Sequence, residues 1–395
     1  GRPCVINYKG NIVIKDNANV NSMYARTVLQ YVGDGTIDIQ GGTITNSSTT
    51  QNTLCYAVGA ESGTVKISGG TISSKIASAV KITGATINIS GGNITSSGAD
   101  AIMQLGSANT TITGGTITSN ATGFSGLAVG GGTAKITGGK LTGKAFGIWC
   151  HDTIKTTVTL GENDSKVSIT TPEISGTEWG VYTGTATFNF YDGILKGAKG
   201  QSIKGENVTS IATNCVVVKT TSGSTETAVL GPSAPAVTAK LNNSSGAKYT
   251  AGTWTNQNVW VQLKSASIGA GIKEYQWYKN GAWTSSEITT ANNTGTITFT
   301  ATRNETIRFR AIDNNGVVSA ETVFGVKIDK TVPTVTINRT SANTFDWKAS
   351  DTLSGVAGYA VTTLGSTPTS WTTNGTLTSG TKTISAAGTY YVWIK

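Results

Sequence analysis

Ile112-Thr113-Gly114-Gly115-Thr116-Ile117 is one copy of a phrase that recurs through the first part of the chain and decides the fold. Each copy places a glycine pair between two short alternating segments, and further copies occupy residues 39–44, 67–72, 89–94 and 136–141. Measured at the second glycine (residues 42, 70, 92, 115 and 139), the steps are 28, 22, 23 and 24 residues. A repeat of this length predicts a solenoid in which each copy forms one coil.

Weaker copies at residues 12–17, 169–174 and 190–195 extend the series in both directions. Period-2 alternation within each repeat predicts three short strands per coil, with the glycine pair supplying the positive φ angles of a sharp corner. The predicted fold is therefore all-β: a right-handed parallel β-helix of about eight coils followed by Ig-like β-sandwich domains.

Stacked apolar ladders are expected to fill the interior of the β-helix. The first strand of successive coils is predicted to point these pairs inward: Ile37 and Ile39, Val65 and Ile67, Ile87 and Ile89, Thr110 and Ile112, Ala134 and Ile136, Val167 and Ile169, Phe188 and Phe190. The second strand is predicted to bury Ile44, Ile72, Ile94, Ile117, Leu141, Ile174 and Leu195. The third strand begins with a small residue and an aliphatic one, as in Ala57-Val58 and Gly147-Ile148.

The pattern changes after the repeats, which gives the predicted domain boundaries. The β-helix is assigned to residues 1–218 and a linker to 219–234. One Ig-like domain is assigned to 235–331, and a second, truncated one to 332–395. Longer strands with aromatic residues recur about every ten residues in this last part, for example at 259–263 and 272–278, which is typical of a sandwich.

Several ordered motifs in residues 253–333 resemble bacterial Ig-like repeats of Firmicutes surface proteins. They are Thr253-Trp254-Thr255-Asn256, Gly271-Ile272-Lys273-Glu274-Tyr275, Ala311-Ile312-Asp313-Asn314-Asn315-Gly316 and Ile328-Asp329-Lys330-Thr331-Val332-Pro333. The resemblance implies stalk modules of an adhesin or cell-wall protein, located extracellularly at the cell surface, and it identifies no catalytic residue. Because the second copy stops before its last strand, we expect the chain to be part of a longer precursor.

Composition excludes several classes of function. The net charge is +9, but the 30 lysines and arginines are scattered, so a solvated basic surface is favoured over a nucleic-acid groove. Weak attraction to an anionic cell-wall polymer remains compatible with that charge. No run of about 18 apolar residues exists to predict a membrane span. Cys4, Cys55, Cys150 and Cys215 form no CxxC pair, so neither zinc nor a redox motif is indicated, and no cofactor is expected.

The β-helix also resembles the fold shared by pectate lyases and polygalacturonases, which implies an enzyme as an alternative. Such enzymes need clustered carboxylates, or acidic calcium ligands beside a basic residue. The β-helix region has only Arg2 and Arg26 as arginines, and His151 is the only histidine of the chain. The residues therefore predict a non-catalytic protein, with a polysaccharide lyase or glycoside hydrolase as the alternative.

The outward side of the third strand carries the candidate site. Its predicted column reads Gly59, Lys81, Met103, Ala128, Trp149, Tyr182, with His151, Asp152, Glu178 and Trp179 beside its end. Aromatic rings flanked by hydrogen-bonding groups suit sugars, whose faces are apolar and whose rims are polar. We therefore predict a glycan-binding site formed by Trp149, Tyr182, Trp179, His151, Asp152 and Glu178. Alternatively, Trp149 and Trp179 are core residues covered by the 160–166 insertion or by the first Ig-like domain.

The other functions considered are ice binding and a purely structural role. Threonine pairs such as Thr43 and Thr45 on the second strands resemble the threonine arrays of ice-binding solenoids. Asn93, Lys140 and Glu173 interrupt this array, and threonine is favoured on any exposed strand, so ice binding is disfavoured. The leading hypothesis is a surface protein whose β-helix binds a polysaccharide, a host glycan or a host protein. A purely structural surface or appendage subunit is the remaining alternative.

Overall fold

The computed structural model describes residues 5–7, 10–23, 27–50, 54–164, 166–204, 208–266 and 270–395. Arg2, Cys4 and Arg26 lie outside these residues. By Cα proximity the chain divides into two compact units. The first comprises Gly1–Ala234, Ser265–Lys273 and Ala311–Ala320, and the second comprises Pro235–Lys264, Glu274–Arg310 and Glu321–Lys395.

The described residues are all-β, with no helices, and so none of them forms a helix that could cross a membrane. The strands of the repeat region are β1 (Val5–Asn7), β2 (Asn11–Ile14), β3 (Asn19–Ser22), β4 (Thr27–Tyr31), β5 (Thr36–Ile39), β6 (Thr43–Asn46), β7 (Tyr56–Ala60), β8 (Thr64–Ile67), β9 (Thr71–Ser74), β10 (Val80–Ile82), β11 (Thr86–Ile89), β12 (Asn93–Ser96), β13 (Ile102–Leu105), β14 (Asn109–Ser119), β15 (Ser125–Gly130), β16 (Thr133–Gly143), β17 (Phe146–Cys150), β18 (Thr157–Leu160), β19 (Glu173–Gly176), β20 (Trp179–Tyr182), β21 (Thr187–Phe190), β22 (Ile194–Gly197), β23 (Gln201–Lys204), β24 (Ser210–Ile211), β25 (Val216–Ser222) and β26 (Thr225–Gly231).

These strands form a parallel β-solenoid of about eight coils, as predicted. The third strands form a nine-stranded sheet, ordered β1-β4-β7-β10-β13-β15-β17-β20-β23. The first and second strands belong to one larger sheet, because β14 and β16 each run through the glycine corner without a break. The predicted second-strand ladder from Ile44 to Leu195 is confirmed by pairing and by complete burial.

One coil of the predicted first-strand ladder was wrong. Val158 and Leu160, not Val167 and Ile169, continue the ladder from Ala134 and Ile136 towards Phe188 and Phe190. Residues 161–172 lie between the first and second strands of that coil. Val167 and Ile169 are only half-buried, because both segments alternate and the one in register with its neighbours fills the core.

The glycine corners hold successive coils at the closest backbone approach. A Cβ atom on Gly91 would lie 2.3 Å from the Ser68 carbonyl oxygen of the preceding coil. A Cβ atom on Gly92, where φ is +83°, would lie 2.8 Å from the Gly69 carbonyl oxygen. The first glycine is therefore required by space, and the second by both space and backbone conformation.

The predicted linker, residues 219–234, carries regular structure. β25 and β26 form an antiparallel hairpin, and β26 also pairs antiparallel with β22 of the last complete coil. Ala228 and Leu230 are fully buried in the solenoid core. The hairpin thereby covers the last coil and satisfies its exposed strand edge, as a capping element must.

The remaining strands belong to the C-terminal part of the chain. They are β27 (Ala236–Leu241), β28 (Trp254–Thr255), β29 (Val259–Lys264), β30 (Ile272–Lys279), β31 (Ala282–Thr284), β32 (Thr289–Ala291), β33 (Thr294–Phe299), β34 (Arg303–Asp313), β35 (Thr322–Ile328), β36 (Thr334–Arg339), β37 (Thr344–Ser350), β38 (Tyr359–Thr362), β39 (Ser379–Thr383) and β40 (Tyr391–Ile394).

Residues 236–328 form two packed sheets. One is antiparallel, in the order β27-β29-β33-β32, and the other is ordered β28-β35-β34-β30-β31, with β28 parallel to β35. Trp277 of one sheet packs edge-on against Phe299 of the other, with ring centroids 5.6 Å apart. Residues 334–394 form a three-stranded sheet, β36-β37-β39, and a two-stranded sheet, β38-β40. Trp347 is buried in this last segment, with its ring 4.5 Å from that of Tyr359.

Asp329, the residue after β35, is hydrogen-bonded to the segment that follows, at Thr331 and Ser354. Its carboxylate accepts hydrogen bonds from the hydroxyl and amide of Thr331 and from the Ser354 amide. The hydrogen bond from the Thr331 hydroxyl, together with those from Ser354, lowers the pKa of Asp329 to about 2. The ionised carboxylate therefore stabilises the folded state above about pH 4, and this stabilisation is lost as the pH falls towards 2.

A matched pair of alanine substitutions tests the glycine corner. Gly92 and Gly123 both have positive φ, +83° and +86°, but a Cβ atom on Gly123 would have no neighbour within 4 Å. We expect Gly123→Ala to cost about 1–2 kcal/mol from backbone conformation alone. Gly92→Ala should cost distinctly more in chemical denaturation followed by circular dichroism. Equal losses would contradict a role for coil-to-coil approach.

Asp329→Asn is expected to lower the thermal unfolding midpoint at neutral pH, because the amide is a weaker acceptor for the Thr331 and Ser354 hydrogen bonds. The difference from the unchanged protein should shrink as the pH approaches 2, where Asp329 itself becomes protonated. Asp346→Asn on β37 is the control, because it removes one negative charge from a half-buried position and weakens a single hydrogen bond, the one from Thr381. A difference that does not vary with pH would contradict the assignment.

Candidate functional site

Three neighbouring third strands, β17, β20 and β23, bring most of the predicted site residues together. In the parallel register Trp149 lies opposite Tyr182, and Tyr182 lies opposite Lys204. A second column beside it places Phe146 opposite Trp179. The outward column that the sequence predicted is therefore the observed one; Lys204 extends it, and Phe146 stands in the second column beside it.

The turn between the second and the third strand of each coil differs between the earlier and the later coils, and this difference sets where the aromatic residues lie. In earlier coils a serine ends the second strand, and Ser74, Ser96 and Ser119 each donate a hydrogen bond of 2.7–2.8 Å to a carbonyl of the preceding coil's turn. In the later coils glycines stand there, and a Cβ atom on Gly143 would lie 1.8 Å from the Phe146 carbonyl oxygen. After these tight turns the third strand begins only three residues after the end of the second strand, at Phe146 and Trp179.

The ring of Trp179 is covered on both faces. Phe146 of the preceding coil stacks on it, with ring centroids 5.3 Å apart and an interplanar angle of 13°. The Lys204 ammonium group of the following coil lies 4.2 Å from its centroid. The Trp179 indole also donates a 2.6 Å hydrogen bond to the Gln201 side chain. Neither ring face of Trp179 is therefore open to a ligand.

Tyr182 shares these neighbours but points its hydroxyl group elsewhere. The Lys204 ammonium group lies 4.8 Å from the ring centroid, and the hydroxyl donates a hydrogen bond to the exposed Asp152 carboxylate. That hydrogen bond, together with burial and the charge of Asp152, raises the pKa of Tyr182. The phenol therefore stays protonated and the Asp152 side chain is held beside it.

Trp149 is half-buried and lies at the open side of the cluster. Its ring meets the His151 imidazole edge-on, with centroids 5.6 Å apart. The His151 Nδ1 atom accepts the Thr153 amide hydrogen at 3.1 Å, which in the neutral imidazole leaves the proton on Nε2. Ala128 precedes Trp149 in the outward column, so the neighbouring position on that side is small.

Glu178 lies at the margin of the cluster, where it forms a 3.0 Å ion pair with Lys199. Asp152 and Glu178 thus both have partners of their own. The Asp100 carboxylate, whose pKa is raised by burial, is structural, since it accepts hydrogen bonds from the amide and the hydroxyl of Ser125. Among the described residues, no group of three or more His, Cys, Asp or Glu side chains could hold a metal ion.

The three described cysteines are unpaired and buried. Burial raises the pKa of the Cys150 thiol to about 12, so it is protonated at neutral pH and unsuited to nucleophilic chemistry. Cys150 stands in the inward column of the third strands, opposite Val129.

Comparisons of the chain with protein-family models, with curated proteins and with solved structures find no match.

The two tryptophans are expected to contribute differently to stability. Trp179→Ala removes the stacking on Phe146, the ammonium contact and the packing of a half-buried ring, and should cost about 2 kcal/mol. Trp149→Ala should cost about 1 kcal/mol, because only one ring contact is lost. Urea denaturation of both variants measures the difference. The reverse order would show that Trp149 is the more deeply packed ring.

Proposed function

We propose that this chain is a non-catalytic extracellular surface protein, an adhesin, whose solenoid binds a glycan. The single observation that supports this best is the half-exposed aromatic cluster on the nine-stranded sheet. The column before it consists of Gly59, Lys81, Met103 and Ala128, so the large rings are concentrated at one end of the sheet. Concentrated half-exposed aromatic residues are a common mark of an interaction surface.

Within this cluster we infer that Trp149 makes the main sugar contact. Trp179 has both faces occupied, whereas Trp149 follows the small Ala128 in the outward column and has the His151 imidazole edge-on beside its ring. The His151 Nε2 proton and the exposed Asp152 carboxylate provide one donor and one acceptor for sugar hydroxyls. This arrangement suits binding of a sugar through one face and its rim.

We propose that residues 235–331 and 332–395 are Ig-like modules that act as a stalk. The two packed sheets of residues 236–328 are compatible with this proposal, which rests otherwise on the sequence resemblance described above. The extracellular, cell-surface location follows from the same resemblance. A host glycan, a host protein or a cell-wall polymer would then be the partner.

The absence of catalysis is also a proposal. It is supported by the ion pair of Glu178 with Lys199, since glycoside hydrolysis needs a pair of carboxylates and Asp152 then has no second free carboxylate beside it among the predicted site residues. A structural subunit is the second candidate. The stacking of Phe146 on Trp179 favours it, because such a ladder stabilises neighbouring coils without any ligand.

A glycan array with matched variants tests the proposal. We expect Trp149→Ala to reduce binding by about ten-fold or more, because stacking on an aromatic ring contributes about 1–2 kcal/mol. Met103→Ala, in the same outward column two coils away, should leave binding unchanged. Binding that both variants reduce equally, or that neither affects, would contradict the proposed site.

The same protein samples separate the alternatives. Release of reducing ends or unsaturated products from a panel of polysaccharides would establish an enzyme in place of a binding protein. If no glycan binds and no product appears, the structural subunit is the better explanation.

A further inference from the structure

The outer face of the sheet β28-β35-β34-β30-β31 carries a second cluster that a spacer module does not need. We define the arginine face as Gln276 and Tyr278 on β30, Trp283 on β31, Arg308 and Arg310 on β34, and Val323 on β35. These side chains are at least partly exposed, and Val323 has 63% of its surface exposed. Tryptophan, tyrosine and arginine are the residue types that contribute most to protein interfaces.

The aromatic rings hold the two guanidinium groups in place. Arg310 lies 4.3 Å from the Trp283 ring centroid, and Arg308 lies 4.6 Å from that of Tyr278. Tyr278 and Trp283 meet edge-on, with centroids 5.4 Å apart. Because these side chains are already ordered, binding a partner would cost little additional conformational entropy.

The two arginines differ in their hydrogen-bond acceptors: that of Arg308 is charged, and that of Arg310 is neutral. Arg308 forms a bidentate ion pair with Glu321, with distances of 2.7 and 2.8 Å. Arg310 instead donates from Nε and Nη2 to the neutral Gln276 amide oxygen, at 2.9 and 2.7 Å. Within the part of the chain that the structure describes, Arg310 has no carboxylate within ion-pair distance.

Gln276 is fixed in this orientation by its other end. Its amide nitrogen donates a 2.7 Å hydrogen bond to Glu274, which turns the amide oxygen towards Arg310. The Nη1 side of the Arg310 guanidinium is left for a further acceptor. A half-buried guanidinium with a neutral acceptor gains most from a carboxylate, because ionised acceptors form the stronger hydrogen bonds.

We propose that the arginine face is a binding surface for an acidic peptide segment of a partner protein, with a partner carboxylate on Arg310 and an apolar side chain against Val323. A peptide fits better than a sugar, because guanidinium groups already occupy faces of the Tyr278 and Trp283 rings and the free apolar group is aliphatic. This surface is formed by other residues than the cluster around Trp149, and the inference does not depend on the glycan proposal.

Fluorescence anisotropy with a labelled peptide of alternating glutamate and valine tests the inference on the full chain. We expect it to bind, and the matching glutamine–valine peptide to bind about ten-fold or more weakly. Arg310→Gln should weaken binding of the acidic peptide by the same factor. Arg310→Lys, which keeps the charge but not the planar fork, should also weaken it.

Lys327→Gln is the matched control, because it removes one positive charge from β35 of the same sheet. It should change binding by about two-fold or less. Circular dichroism checks that each variant is folded, and Val323→Ser tests the apolar contact at an exposed position. Equal effects of the Arg310 and Lys327 variants, or equal binding of the two peptides, would overturn the inference. So would binding of oligogalacturonate, with the same Arg310 dependence, in place of the peptide.

Discussion

The close approach of backbone to backbone at the glycine corners is the constraint on which the solenoid depends. The first glycines Gly69, Gly91, Gly114 and Gly138 lie so near a carbonyl of the preceding coil that any side chain would collide with it, as the 2.3 Å distance at Gly91 illustrates. This approach keeps the coils in register, and register in turn aligns the aliphatic ladders that fill the core. The glycine pair of the repeat is therefore required by the contact between coils as well as by the turn within one coil.

The other corner of each coil is less restricted, and its variation shapes the surface. A serine at the end of the second strand bridges to the preceding coil, whereas a glycine there permits a turn with only two residues before the third strand. The change from Ser119 to Gly143 occurs where the aromatic cluster begins. A core requirement, namely how the chain turns from one sheet into the other, thus determines which residues reach the outer face.

Much of the solenoid could be predicted from the sequence, because a strict alternation beside a glycine pair fixes which residues point inward and which point outward. The second-strand ladder and the outward column that contains Trp149 and Tyr182 are of this kind. The coil of residues 157–174 could not be assigned in this way, since Val158 and Val167 both start alternating segments and only pairing with Ala134 distinguishes them. Phe146 was missed, although its spacing from Trp149 matches that of Trp179 from Tyr182. The position of Lys204 over two rings depends on side-chain conformation, which no spacing encodes.

Ring orientation separates an aromatic ladder from an aromatic binding surface. Coils lie about 4.8 Å apart, so rings on adjacent coils that stack along the solenoid present their edges to solvent and their faces to each other. Phe146 and Trp179 follow this arrangement, at 5.3 Å and nearly parallel. A ring can offer a face only where the neighbouring position in the column is small. Ala128, the residue before Trp149 in the outward column, provides that condition for Trp149. Any ligand at this site must therefore meet Trp149 at the boundary between the ladder and the small residues before it.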